Sequence, residues 1–402
     1  MIESTAQSTA PDRASQFQFD PFSPAVHSDP YPIYRRLRDE APVYHNAERG
    51  FWAVSRYDDV VAVSRDWQRF TTARGVDIDN YGDVLGGGFF LAKDPPEHGQ
   101  LRDVVKAAFG LRTVRELTEE PLRAVVEQLV SEIAELESAD LATDLAWELP
   151  ARAMSILLGF PDEDCDRLRE LGMQLMARNV GDPAPPAASD EAAMALMEYF
   201  IEQIESRRAE PRADLLTHIA TATVAGEPIG DSAPGMALLL HVGGFENVGC
   251  SISSALYWLA RHEDQRAWLA ANPAGIPVAV EEILRFDPAQ QNFKRTTIGD
   301  TELHGVEIPA GSPVILLYGA AARDERHFEK PDVFDIQRAG ERHLSFGDGI
   351  HHCLGAPLAR LELQIVLETV LRVIPNYSLS GEPGRIASHA VRGFASLPAA
   401  TH

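Results

Sequence analysis

The sequence is poor in cysteine and in basic residues. Its three cysteines in 402 residues, Cys165, Cys250 and Cys353, are too few for a disulfide framework and indicate a reducing compartment. The 60 Asp and Glu residues outnumber the 36 Lys and Arg residues, which gives a formal net charge of −24. Because such a surface repels phosphate backbones and anionic lipid headgroups, the composition disfavours binding to nucleic acid or to a membrane surface.

The sequence also lacks a basic or apolar N-terminal segment of the kind found in secretory signals. Residues 1–17 are polar, and we expect a disordered tail there. The apolar run from Ser232 to Ala260 holds the acid Glu246 near its middle, which favours a buried helix over a membrane span. These features predict a cytoplasmic protein that does not enter a membrane.

The length alone would allow two or three domains of roughly 150 residues. However, no repeat of fixed period is visible, and the one low-complexity patch, residues 181–193, is typical of a surface loop. The periodicity predicts helices over Thr113–Leu136, Glu191–Arg207 and Ser232–Arg261, and strands over 50–55, 301–308 and 312–318. We therefore predict a single domain over residues 18–402, mainly α, with a minor β portion contributed from both ends of the sequence.

The most informative segment is HLSFGDGIHHCLGAPLARLE, residues 343–362. Here Cys353 follows two glycines and precedes a predicted amphipathic helix, with Pro357 suited to the first helical turn. Free backbone N–H groups and the helix dipole would stabilise a thiolate at that place, and a thiolate is a ligand for a soft metal. Two alternatives are a buried free cysteine and a zinc site formed with His351 and His352, although that ligand spacing is unusual for zinc.

The pattern Phe346-Gly347-x-Gly349-x-His351-x-Cys353-x-Gly355 resembles the haem-binding loop of the cytochrome P450 monooxygenases. The resemblance implies the cytochrome P450 fold, with a long distal helix over haem b, and O2 as co-substrate. It also implies that Cys353 is the axial ligand to the haem iron and that His351 contacts a haem propionate. The loop residues that it assigns to haem binding are Phe346, Gly347, His351, Cys353 and Gly355.

Three basic residues outside this loop match further haem contacts of the family. His98 and Arg102, in DPPEHGQLR, are four residues apart on one helix face, and Arg295 lies in FKRTT. Basic donors are needed because haem carries two propionates. The alternative for His98 and Arg102 is a solvated helix face.

The segment VEEILRFDP resembles the ExxR pair of the family through Glu282 and Arg285, which share a helix face. The resemblance implies a buried structural network completed by an arginine ahead of the cysteine loop, for which Arg338 is the match. A surface ion pair is the alternative.

The long apolar helix carries GGFENVG at residues 243–249, similar to the distal helix on which the family uses an acid–alcohol pair to relay protons. Glu246 matches the acid, whereas Asn247 stands where threonine is usual. An amide can hold a water but has no hydroxyl proton to transfer. We assign both residues to catalysis, with a structural ion-pair role as the alternative for Glu246.

Substrate contacts follow from the resemblance alone. They form a largely apolar set with a polar cluster at residues 290–292, which suits a hydrophobic substrate that bears one or two hydrogen-bonding groups. The alternative is a loop that faces solvent. The predicted positions are Val84, Leu85, Phe89, Leu240, Gly244, Gln291, Phe293 and Phe394.

We therefore predict a monomeric haem-thiolate monooxygenase that inserts one oxygen atom from O2 into a hydrophobic small molecule. With no membrane anchor or fused reductase visible, electrons are expected from a ferredoxin and its reductase. The partner would dock near a basic patch formed by Lys106, Arg112, Arg115 and Arg360. The alternatives are an enzyme of the same fold that uses peroxide or catalyses oxidative coupling or rearrangement, and a haem-free recruitment module.

Overall fold

The computed structural model describes residues 17–79, 90–338 and 340–401. The helices are α1 (Pro24–Ser28), α2 (Tyr31–Glu40), α3 (Tyr57–Arg65), α4 (Glu97–Lys106), α5 (Leu111–Ala134), α6 (Glu148–Leu158), α7 (Cys165–Met176), α8 (Ala187–Ala209), α9 (Leu215–Ala220), α10 (Ser232–Arg261), α11 (Glu263–Ala271), α12 (Ile276–Phe286), α13 (Tyr318–Ala321) and α14 (Ala356–Val373). The strands are β1 (Val43–Asn46), β2 (Phe51–Val54), β3 (Phe70–Thr71), β4 (Ser138–Asp140), β5 (Thr223–Val224), β6 (Glu227–Pro228), β7 (Asn292–Thr297), β8 (Thr301–Leu303), β9 (Val306–Ile308), β10 (Pro313–Leu317), β11 (Ser378–Leu379), β12 (Gly384–Arg385), β13 (Phe394–Ser396) and β14 (Pro398–Ala400).

The largest sheet joins the two ends of the chain. Its five strands lie in the order β1-β2-β10-β7-β3, with β1 antiparallel to β2 and β7 antiparallel to β10. Strand β10 runs parallel to β2, in a register that places Ile315 opposite Ala53. Both side chains are fully or almost fully buried, so the sheet is held by apolar packing as well as by its ladder. The minor β portion is thus contributed from both ends of the sequence, as predicted.

Helix α10 is the axis of the helical body. It spans Ser232–Arg261, the predicted range, and packs against α6, α8 and α14. Its first three turns and its C-terminal half are buried on nearly all sides, which explains why the sequence there is apolar around the whole helix. No helix in the described ranges combines the length and the hydropathy that a membrane span requires.

Several boundaries differ from the sequence predictions, among them the start of α5, which is Leu111 rather than Thr113. Helix α8 begins at Ala187, inside the predicted loop, because the extended backbone of Pro186 precedes a segment rich in alanine. The predicted strand 301–308 is a hairpin, since His304 and Gly305 adopt φ values of 54° and 76° between β8 and β9. Phe17 packs its ring against Tyr44, so it does not belong to the expected tail, whose residues 1–16 lie outside the described part of the chain.

Candidate active site

The cysteine loop is a tight turn between the sheet and α14. The backbone N–H of Cys353 donates to the carbonyl of Phe346 at 2.8 Å, which closes the loop. Gly349 has φ of +69°, and a Cβ there would lie 2.6 Å from the carbonyl oxygen of Ser64 in α3. Only glycine satisfies both conditions, so this residue allows the loop to pack against α3. Pro357 occupies the first turn of α14.

The thiol of Cys353 faces a cavity. Burial in the protein raises its pKa, whereas the N–H groups of Gly355 and Ala356 and the guanidinium groups of Arg102 and Arg360 act in the opposite direction. The loop therefore provides donors that stabilise a thiolate, in a setting that otherwise disfavours the charge. A positive metal centre bonded to the sulfur would offset the free-energy cost of burying the thiolate charge.

This first cavity has a volume of about 210 Å³ and separates the cysteine loop from α10. Its wall on the α10 side includes Gly243, Gly244, Asn247 and Val248, and apolar side chains such as Phe90, Phe109 and Leu284 form much of the rest. The space therefore suits a flat apolar group that is approached on one face by Cys353 and on the other by α10.

Three basic side chains line this cavity, Arg102, Arg295 and His351, and His98 lies against His351. The ring centroids of His98 and His351 lie 4.3 Å apart. Burial, together with the positive charges of Arg295, His98 and Arg102, lowers the pKa of His351 to about 2. The ring atoms His98 Nε2 and His351 Nδ1 are buried, and neither has a hydrogen-bond partner in the part of the chain that the structure describes. Such a cluster is suited to an anion, because an anion would satisfy both the positive charge and the free ring nitrogens.

These observations fit the haem that the sequence resemblance implies. A thiol faces the apolar cavity, and buried cationic groups with free donors lie where two propionates could be bound. Arg102 also supports the loop directly, since its Nη2 donates to the carbonyl of His352 at 2.6 Å. Arg295 donates from Nη1 to the carbonyl of Lys294 at 3.0 Å. Phe346, Gly347 and Gly355 line the cavity around Cys353.

Glu246 and Asn247 lie on α10 and face different spaces. Glu246 lines a second cavity, of about 170 Å³, whereas Asn247 lines both cavities. Burial raises the pKa of Glu246 to about 7, with Asp77 adding to the effect and Arg178 opposing it. Asn247 Oδ1 is buried and has no hydrogen-bond partner within the described residues. The pair therefore combines a carboxyl group that can change protonation near pH 7 with an amide that is free to hold a water molecule.

The predicted ion pair on α12 is buried. Arg285 makes two hydrogen bonds to the Glu282 carboxylate, at 2.7 and 2.9 Å, and both residues are 2% exposed. Arg285 Nη1 also donates to the carbonyl groups of Ala322 and Pro331. Arg338 Nε lies 3.1 Å from Glu282 Oε2, without hydrogen-bond geometry. The surface ion pair is therefore excluded for Glu282 and Arg285.

Of the predicted substrate positions, Leu240, Gly244 and Phe293 line the first cavity. Gln291 does not line either large cavity, because its side chain packs over Gly319 and donates to the carbonyl of Pro288. Phe394 is also turned away, with its ring packed against Tyr257 at 4.4 Å. The structure thus places neither side chain at the two cavities beside α10. Val84, Leu85 and Phe89 lie outside the described residues.

The sequence predictions missed Met154 of α6 and Glu362 of α14, whereas Gln290 belongs to the predicted polar cluster. Gln290 lines both cavities, and Met154 lines the first. Glu362 of α14 lines the first cavity, with both carboxyl oxygens buried and without a hydrogen-bond partner among the described residues. Burial raises the pKa of Glu362 well above its usual value, which favours the protonated form. The available signal for Glu362 was an acid among the apolar residues of α14, a helix that also contains Glu368.

The four residues of the predicted basic patch are exposed or partly exposed, and each lies close to an acid. Arg112 pairs with Glu116 at 2.7 Å, and Arg360 pairs with Glu281 at 2.6 Å. Looser pairs join Lys106 to Asp103 and Arg115 to Glu119. The local positive charge is therefore largely compensated. Leu111, at the start of α5 beside Arg112, is 59% exposed.

The predicted zinc alternative is not supported by the geometry. Within residues 17–79, 90–338 and 340–401, no three His, Cys, Asp or Glu side chains are arranged to hold a metal ion.

Comparison with known proteins gives consistent matches. The family model described as Cytochrome P450 matches residues 277–384. Cytochrome P450 130 of Mycobacterium tuberculosis is 35% identical, over 88% of this chain and 90% of the relative. The steroid C26-monooxygenase of Rhodococcus jostii is 33% identical, over 94% of this chain and 83% of that protein. The crystal structure of PksS, a cytochrome P450 of the bacillaene polyketide synthase of Bacillus subtilis, superposes with a TM-score of 0.87 at 30% identity, over 96% of this chain and all of that one.

Proposed function

Because the chain belongs to the cytochrome P450 family of haem-containing monooxygenases, we propose that it inserts one oxygen atom from O2 into a hydrophobic small organic substrate, with Cys353 as the axial ligand of the haem iron. The observation that carries this assignment is the thiol of Cys353 facing the first cavity, beside a buried cluster of four basic side chains. Haem b, when bound, activates O2 with two electrons that arrive one at a time.

Different residues around the first cavity would hold different parts of the cofactor. His98, Arg102, Arg295 and His351 would bind the propionates, because two guanidinium groups and two imidazole rings offer donors there, and His98 Nε2 and His351 Nδ1 have no hydrogen-bond partner among the described residues. Phe346, Gly347 and Gly355 shape the loop around the sulfur. Glu282, Arg285 and Arg338 form a buried network that supports the chain ahead of this loop.

We assign proton delivery to Glu246 and Asn247. With a pKa of about 7, Glu246 holds a proton for part of the time at neutral pH and can be reprotonated from the second cavity. Asn247 reaches both cavities and can position a water molecule between them, although its amide supplies no hydroxyl proton. The carboxyl group is therefore the proton source, and the amide is the positioning group.

The apolar wall of the first cavity supports a hydrophobic substrate, and Gln290 offers it a hydrogen bond. Electrons would come from a ferredoxin and its reductase. The exposed apolar side chain of Leu111 lies among several Lys and Arg side chains. An apolar centre with a charged rim is typical of a small protein–protein contact, which supports docking of the partner there. Since these Lys and Arg side chains are paired with acids of the same protein, the acidic groups of the partner must displace those acids to bind them.

The test of the axial ligand is spectroscopic. Reduced protein with carbon monoxide should show the red-shifted Soret band of a thiolate-ligated haem, and Cys353→Ser should remove that band. Cys165→Ser is the matched control, because Cys165 lies in α7 and does not line the first cavity. If Cys353→Ser kept the band, the thiolate would have to come from another cysteine.

One observation favours a second candidate of the same fold. Asn247 has no hydroxyl proton, and an enzyme that takes its oxygen from peroxide needs no such group because the peroxide brings its own protons. Retention of the buried acid Glu246 opposes this alternative. Product formation with hydrogen peroxide, compared with formation driven by reduced ferredoxin and O2, separates the two.

A further inference from the structure

Arg360 of α14 lies against the cysteine loop and is held there by an acid from another helix. Its guanidinium group makes two hydrogen bonds to the Glu281 carboxylate of α12, from Nε at 2.6 Å and from Nη2 at 2.8 Å. The guanidinium carbon also lies 4.5 Å from the centre of the Phe346 ring. The two hydrogen bonds fix the plane of the guanidinium, and the contact with the ring fixes its position over the loop.

The Glu281 carboxylate is itself held by the segment that leads into the loop. His343 Nδ1 accepts a hydrogen bond from the backbone N–H of Ser345 at 3.3 Å, so in the neutral ring the proton is on Nε2, which donates to Glu281 Oε2 at 3.1 Å. The His343 side chain is 4% exposed, whereas those of Arg360 and Glu281 are 32% and 40% exposed. Ion pairs at this exposure contribute little to stability, so the arrangement is better explained by the position that it gives to Arg360 than by its energy.

Phe346 connects this arrangement to the sulfur of Cys353. It lines the first cavity, and its backbone carbonyl accepts the N–H of Cys353 at 2.8 Å. Burial raises the pKa of the Cys353 thiol, and the charge of Arg360 is among the effects that act in the opposite direction. The field of the guanidinium therefore reaches the sulfur. A cation near an iron-bound thiolate reduces the electron density that the sulfur gives to the iron, which favours the reduced iron.

We propose that Glu281 is a positioning residue that holds the Arg360 guanidinium over Phe346 and thereby raises the reduction potential of a haem iron bound through Cys353. The proposal rests on the proposed function, which it extends to the control of electron uptake. Arg360 acts through its charge, and Glu281 acts through the position of Arg360.

The sign of the effect of Glu281 distinguishes positioning from a direct effect of its charge. Removing a carboxylate removes a negative charge, which by itself makes the iron easier to reduce and raises the potential. If the carboxylate instead holds a cation near the sulfur, its removal releases that cation into solvent and lowers the potential. The two roles thus predict shifts of opposite sign for the same variant.

The test uses the haem-loaded protein and measures its reduction potential by spectroelectrochemical titration with small-molecule mediators, so that no protein partner is involved. Arg360→Gln should lower the equilibrium constant for one-electron reduction about tenfold, which corresponds to about 59 mV. Glu281→Ala should lower the same constant at least about threefold. In the Arg360→Gln background, Glu281→Ala should no longer lower the potential, because no cation remains to be released.

A second measurement and a control separate this role from a loss of structure. Resonance Raman spectra of the ferric protein should show a higher stretching frequency of the axial iron–sulfur bond in both single variants, since the sulfur then gives more electron density to the iron. Glu368→Ala is the matched control, because Glu368 is also on α14 and pairs with an arginine, Arg123, but lines neither large cavity. Its potential and its stretching frequency should equal those of the parent.

An unchanged or raised potential in Glu281→Ala, or an equal decrease in the parent and Arg360→Gln backgrounds, would overturn the proposal. A parent protein without the red-shifted band with carbon monoxide would refute the haem-thiolate assignment, and the positioning role with it. A parent protein that shows the band but whose potential does not respond to Glu281→Ala would refute the positioning role alone.

Discussion

Removal of the Glu282 carboxylate tests the buried network on α12. Glu282→Ala leaves two guanidinium groups, those of Arg285 and Arg338, without their shared anion in a place where Glu282 and Arg285 are 2% exposed. Breaking a buried pair by removing one partner costs about 3–5 kcal/mol. This is a large fraction of the roughly 5–15 kcal/mol by which domains are stable.

The same loss of unfolding free energy can be expressed as a decrease in the melting temperature. At about 2.1 cal/mol/K per residue, unfolding 402 residues has an entropy of roughly 0.8 kcal/mol/K. A loss of about 3–5 kcal/mol therefore lowers the midpoint by about 4–6 °C. Thermal unfolding followed by circular dichroism, together with haem content at equal expression, measures both consequences.

The adjacent Glu281→Ala variant is the matched control. Glu281 also pairs with an arginine, Arg360, and with His343, but its side chain is 40% exposed, so its loss should cost less than the loss of Glu282. The double variant Glu282→Ala with Arg285→Ala should cost less than the sum of its parts, because it removes one of the unpaired charges. If Glu282→Ala were no more destabilising than Glu281→Ala, the reasoning from burial would be wrong.

Three further predictions concern protons and electrons. Glu246→Gln should slow turnover markedly, because only the carboxyl group has a transferable proton. Asn247→Ala should retain a substantial share of the product formed per reduced cofactor consumed. If Asn247→Ala had the larger effect, the two roles would be reversed. Burial raises the pKa of Glu362 well above its unfolded value, so the parent should lose up to about 1.4 kcal/mol of stability per pH unit relative to Glu362→Gln as the pH rises above about 4.5, as measured by urea unfolding. Glu368→Gln, which changes an exposed and ion-paired glutamate of the same helix, is the matched control. Arg112→Glu should slow reduction by a ferredoxin more at low than at high salt, measured by stopped-flow absorbance, and an unchanged rate would place docking elsewhere.

The parts of the site that the sequence predicted are those set by contiguous residues. The cysteine loop is fixed by its own glycines and by the helix that follows, so one segment contains both Cys353 and its surroundings. Helix α10 was predicted over its full range, since its run of residues is apolar around the whole helix and such a helix is buried on most sides. Glu282 and Arg285 share one turn of α12, so their contact follows from helical geometry.

The parts that were missed depend on contacts between distant segments. Gln290 and Gln291 are chemically identical neighbours, and the choice of which one lines the cavities is made by Gly319, which offers its bare backbone to the Gln291 side chain. Phe394 is directed by Tyr257, more than a hundred residues earlier in the chain. The second cavity likewise requires Asp79, Arg178, Glu246 and His389 to meet from four separate segments. No local pattern determines such a meeting. Chemistry that is carried by one segment can thus be predicted from the sequence, whereas selectivity for a substrate, which arises where several segments converge, becomes visible only in the folded structure.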